Sequence, residues 1–147
     1  MISRRHFVKI TCTSCLGVPL LAGVVTGCQP TRYVTGTMEP NGISVMKQEF
    51  HIMKDSGITY REYVIVRNDS LEYPIALYRF SDQLYSALLM KCSHQGTELQ
   101  AAGDHLHCPA HGSEFSSRGD VTSGPADKNL RTFRVSVDEE RLLIELS

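Results

Sequence analysis

The sequence has three scarcities: no convincing helical periodicity beyond its first 27 residues, little net charge, and few cysteines that a folded domain could use. Its formal charge is −1 over 147 residues, and from Cys28 onward 12 Lys and Arg stand against 16 Asp and Glu, a balance of −4. That excludes the basic surface on which nucleic-acid binding depends. Of the five cysteines, Cys12 and Cys15 fall inside an apolar stretch and Cys28 closes it. Only Cys92 and Cys108 remain, so no disulfide framework is expected even in an oxidising compartment. A long apolar run is missing too. Ile10 to Gly27 spans 18 residues diluted by Thr11, Thr13, Ser14, Gly17, Pro19 and Gly23, whereas a bilayer span wants about 20 predominantly apolar ones.

What the front does contain is an export pattern. Ser3-Arg4-Arg5-His6-Phe7-Val8-Lys9 is a charged opening, and Ile10 to Val25 carries no charge. These are the n-region and apolar region of a signal peptide. The paired arginines, followed by Phe7 and Lys9, resemble the twin-arginine signal, whose translocon moves folded proteins. Val25-Thr26-Gly27-Cys28 resembles a bacterial lipobox. This reading assigns residues 1–27 to a signal and places diacylglycerol on Cys28. An uncleaved anchor and simple soluble export are the alternatives.

Residues 28–42 hold Pro30 and Pro40 with few aliphatics and read as a tether, leaving a domain over 43–147. From Ile43 on, the pattern is strand after strand. Strands are expected over 43–45, 50–54, 60–67, 74–80, 84–90, 130–137 and 141–146, which makes an all-β domain. His51, His105 and His107 read as strand or surface residues.

Between those strands lie Cys92-Ser93-His94-Gln95-Gly96 and Cys108-Pro109-Ala110-His111-Gly112-Ser113. Each segment offers one thiolate and one imidazole, spaced C-x-H and then C-x-x-H. Two soft anionic ligands and two neutral nitrogens suit zinc or an iron–sulfur cluster. A Cys2His2 zinc finger pairs cysteines in one arm and histidines in the other. Here each arm mixes them, which fits a [2Fe–2S] cluster with two cysteines on one iron and two histidines on the other.

With Gly96, Pro109, Gly112, Phe115, Gly119 and Gly124-Pro125-Ala126 also in place, the chain resembles the Rieske iron–sulfur family. The resemblance implies an antiparallel β-sandwich with a small cluster-binding subdomain, about 90–127, inserted between its strands. It implies one [2Fe–2S] cluster per chain, held by Cys92, His94, Cys108 and His111. Gly96 and Gly112 would let backbone amides approach the sulfides, Ser113 would donate to a sulfide, and Pro125 would cover one side. Thr97 and Ala110 stand where relatives in cytochrome bc complexes carry disulfide-bonded cysteines, and Phe115 stands where they carry a tyrosine. The expected potential therefore falls inside the Rieske range of roughly −150 to +300 mV, below those relatives.

The function expected is one-electron transfer, with no substrate-transforming site in the chain itself. The setting expected is exported, on the outer face of the bacterial cytoplasmic membrane or otherwise periplasmic, as a subunit of a respiratory, quinol-linked complex. Redox partners would be a cytochrome, a quinol-reactive subunit or a molybdopterin subunit. The last describes the small subunit of an exported molybdenum oxidoreductase. A Rieske ferredoxin of the oxygenase type and a structural zinc module are the remaining alternatives.

Overall fold

A computed structural model describes residues 30–147 of the chain. The signal-like residues 1–27 and Cys28 lie outside the described residues. The first strands are β1 (Tyr33–Thr35), β2 (Thr37–Glu39) and β3 (Gly42–Met46). A 3-10 turn (Lys47–Phe50) then leads to β4 (His51–Lys54) and β5 (Gly57–Tyr60). The middle of the chain gives β6 (Tyr63–Arg67), β7 (Ile75–Arg79) and β8 (Tyr85–Leu89). Four short strands follow: β9 (Gln100–Ala102), β10 (His105–His107), β11 (Glu114–Ser116) and β12 (Val121–Ser123). The last two are β13 (Thr132–Val137) and β14 (Arg141–Glu145). No helix among the described residues is long and apolar enough to cross a membrane.

Eight strands form one sheet in the order β1-β6-β7-β8-β13-β14-β3-β2. The sheet turns over at β13: Thr132 and Phe133 pair with β8, and Arg134 to Val137 pair with β14. The two halves enclose a core of Ile43, Phe50, Val64, Val66, Ile75, Leu77, Ala87, Leu142 and Ile144. Alternate residues of the same strands, Ile65, Ala76, Tyr78 and Leu88, point the other way into a second buried cluster. Both faces of β6 and β7 are therefore covered. That is why these strands read as nearly unbroken apolar runs, without the clean alternation of a half-solvated sheet.

The second cluster is roofed by a four-stranded sheet, β12-β11-β10-β9. Leu99, Leu106, Phe115, Ala126 and Leu130 come from this roof and its connections. Leu88 and Thr132 are direct partners although 42 residues separate β8 from β13. The roof is thus an excursion from one neighbouring strand to the next. Arg67 and Glu98 tie it to β6 across 2.7 Å.

One expectation needs correction: the tether does not extend to residue 42, because β1 pairs with β6 and β2 with β3, so strands of the fold are already present from Tyr33. Among the described strand pairings all are antiparallel except that of β1 with β6, where Val34 stands opposite Val66. Val34 is buried, and a Cβ on Gly36 would collide with Ile43 Cδ1. These short strands are held by packing. A chain beginning at Ile43 loses that burial, worth about 1.5–3 kcal/mol for the valine alone, together with the flanking ladder bonds. Its urea midpoint is expected to fall below that of a chain beginning at Pro30. Equal midpoints would show that residues 30–42 contribute nothing to the fold.

Candidate metal centre

The two cysteine segments are built to one plan. Lys91 pairs with Glu98 across the first, and His107 with Glu114 across the second. In the first loop, Cys92 N–H donates to Thr97 O (2.9 Å) and Gly96 N–H to Cys92 O (2.8 Å). In the second, Cys108 N–H donates to Ser113 O (2.8 Å) and Gly112 N–H to Cys108 O (3.0 Å). Gly96 and Gly112 close these turns at φ +75° and +76°. A side chain in that region costs roughly 1–2 kcal/mol, so both glycines are required by the backbone. The histidine sits two residues after the cysteine in one loop and three after it in the other.

This arrangement separates the ligand types by depth. Cys92 and Cys108 are free thiols, 2% and 1% exposed, at the end of the second core. His94 and His111 are exposed, with ring centroids 5.1 Å apart and planes at 85°. Burial pushes the Cys108 thiol up. The backbone amides of Ala110 and His111, with the Cys92 and Thr97 side chains, pull it further down, leaving it below its ordinary range. Backbone donors thus already favour a thiolate there. Among the described residues, no three His, Cys, Asp or Glu side chains converge as a site for a single ion. A tetrahedral zinc site needs such convergence. A [2Fe–2S] cluster asks only two protein ligands of each iron, and the donor set fits that demand.

Two hydrogen bonds hold the loops around this point. Ser113 is fully buried, and its hydroxyl oxygen accepts from Ala126 N–H (3.0 Å), which leaves the hydroxyl proton for another acceptor. Ser93 Oγ donates to Lys128 O (2.5 Å). The Thr97 side chain stands near enough to Cys108 to help lower its pKa. The sequence marks Thr97 only as a position without a disulfide cysteine and gives no sign of this proximity. Ala110 is exposed and supplies a backbone amide to Cys108.

The other residues singled out from the sequence separate cleanly. Pro125 is exposed beside Ala126, on the segment that Ser113 holds. Phe115 is fully buried opposite Leu106 and brings no polar group. Tyr78, in the same core, does not replace the missing tyrosine. Burial chiefly raises its pKa, with further upward contributions from Tyr63, Asp104 and Glu62, and its buried hydroxyl has no hydrogen-bond partner. His105 and His107 share β10, and His51 is exposed against Tyr60. None of these three joins the ligand pair.

The family model of the Rieske [2Fe-2S] domain matches residues 28–134. The chain belongs to the Rieske [2Fe–2S] family. Its all-β fold and its [2Fe–2S] cofactor follow from that membership. The oxygenase component of dicamba O-demethylase from Stenotrophomonas maltophilia is 36% identical over 83 residues, half of this chain and 24% of that protein. A cytochrome b6-f complex iron-sulfur subunit from Prochlorococcus marinus is 33% identical over 55 residues, 36% of this chain and 31% of that one. The chain thus spans about a quarter to a third of the length of these curated relatives. The fold resembles the plasma membrane Rieske protein PetC3 from Synechocystis PCC 6803, with TM-score 0.50 and 24% identity over 57% of this chain and 86% of that one.

Thr97→Val keeps the shape of the side chain and deletes its hydroxyl. It is expected to lower the reduction potential by about tens of millivolts, since only the part of a ~1.5–3 kcal/mol hydrogen bond that differs between oxidation states counts. Ser113→Ala should lower it similarly. By leaving the Ala126 amide unpaired, it should also cost about 1–3 kcal/mol of stability. A spectroscopically monitored redox titration reads the first effect and urea unfolding the second. An unchanged potential in Thr97→Val would remove Thr97 from the site.

Proposed function

We propose that this protein is an exported one-electron carrier, tethered at Cys28 to the outer face of the cytoplasmic membrane and serving a quinol-linked respiratory complex. The observation that carries the electron-transfer reading is the exposure of both histidines above two buried cysteines. In this assignment Cys92 and Cys108 hold one iron and His94 and His111 the other. The bound cluster supplies a redox centre that changes by one electron, at a potential raised by the imidazole ligands. Cys92 and Cys108 fix it in the core and keep water from the thiolate side. His94 and His111 present the edge at which a partner can approach, and Gly96, Gly112 and Pro125 surround that edge without filling it.

Similarity to iron-sulfur subunits of cytochrome b6-f complexes and the export pattern of residues 1–28 support the respiratory setting. A second reading has its own support. Thr97, Ala110 and Phe115 depart from the bc-complex pattern, and the dicamba O-demethylase component covers more of this chain than the b6-f subunits do. That favours a carrier of the oxygenase ferredoxin type, which would stay in the cytoplasm.

Isolation of the native protein from membranes decides between them. The respiratory reading expects co-purification with a cytochrome or quinol-reactive subunit, and an intact mass corresponding to residues 28–147 plus diacylglycerol. A molybdopterin-containing partner would move the chain to a molybdenum oxidoreductase. A full-length, unacylated chain in the cytosolic fraction would overturn the export reading.

A further inference from the structure

Outside the centre, the most unusual surface is the hairpin of β4 and β5. It forms a two-stranded sheet of its own among the described residues. His51 stands opposite Tyr60, and Met53 opposite Ile58, so these four side chains share one face. All are exposed, Met53 at 77% and Ile58 at 50%. The tip carries one charge of each sign, Lys54 and Asp55. Large apolar side chains laddered on a projecting hairpin call for an occupant.

The start of the described chain indicates which one. Pro30, Thr31 and Arg32 line a cleft together with residues 60–63 at the hairpin's root, and Gly103 closes the same cleft. Cys28 is two residues before Pro30, and two residues reach at most about 7 Å. An anchor at Cys28 therefore brings the bilayer surface to this end of the molecule. Gly103 sits at the turn between β9 and β10, and the cysteine loops are at the other ends of those strands. The five steps from Gly103 to Cys108 cover about 17 Å at strand rise.

We propose that the β4–β5 hairpin is a second membrane contact, seated in the bilayer interface beside the Cys28 anchor, which points the histidine-bearing loops away from the membrane. The inference rests on the anchor assigned to Cys28. Tyr60 and Lys54 suit the interfacial zone, where an aromatic ring and a long cationic side chain each keep one end wet. Four side chains fall well short of the roughly 20 residues a side in a stable protein interface. Beside a lipid anchor they need only orient the domain. The consequence for function is that this chain's histidine edge meets a partner domain standing in the aqueous phase, not a quinol within the bilayer.

The sequence has no tryptophan, so a single introduced one reports its own surroundings. Ile58→Trp, with Met53→Trp as a second probe on the same face, is placed in the holoprotein isolated from membranes and reconstituted into phosphatidylcholine vesicles. Ser123→Trp, exposed near the histidine loops, is the control. In vesicles with brominated acyl chains, fluorescence at positions 53 and 58 should fall at least two-fold relative to unbrominated vesicles, and position 123 should be unchanged. Protein that co-sediments with vesicles but shows no quenching at 53 and 58 overturns the hairpin contact while the anchor stands. Equal quenching at 123 overturns the orientation. Protein that fails to co-sediment overturns the anchor and this inference with it.

Discussion

Two thiols buried against each other are the constraint to which the rest of this molecule answers. As thiolates in a dry core they would repel and lose hydration, a cost that ions escape only by pairing or binding metal. The backbone amides of Ala110 and His111 at Cys108, and the Thr97 hydroxyl beside it, meet part of that cost. The remainder falls to the iron that the family binds. Metal affinity is in this sense also folding energy for the loops.

That demand explains the architecture around the site. The cysteine loops repeat one hydrogen-bond scheme, so both sulfurs arrive at equal depth while the one-residue offset of the histidines keeps the rings in contact at the surface. Ser93 and Ser113 tie the two loops to the segment holding Pro125. The brace is made of small hydroxyl side chains, and no disulfide is needed for it. Below, Ile65, Ala76, Tyr78 and Leu88 provide an apolar floor from a sheet that is already packed on its other face. A doubly packed base thus carries a small roof with the cysteine loops at one end of it.

The chemistry was far more legible in the sequence than the boundaries of the fold. Cys92, His94, Cys108 and His111 are adjacent or nearly so in pairs, and ligand spacing is a local property that a sequence displays. The strands over 43–46, 63–67, 75–79 and 141–145 were also readable, because β-branched and apolar residues accumulate there. β1 and β2 were not. Each has three residues, Gly36 and Pro40 flank them, and their partners lie about 30 residues away or across a turn. Of the roof strands only β10 was hinted at, through His105 and His107; the others were missed because three residues barely display a period of two. The nearness of Thr97 to Cys108 was not legible, because it is a tertiary contact that no local spacing displays.

The central claim is that two cysteines and two histidines divide one [2Fe–2S] cluster between them. Pulsed electron paramagnetic resonance on the reduced protein, prepared with and without nitrogen-15 histidine, tests it directly. The account predicts two distinct histidine nitrogen couplings that change with the isotope, in protein holding two irons and two sulfides per chain. A paramagnetic signal without histidine coupling, or a protein loaded with zinc and silent in this measurement, would contradict it.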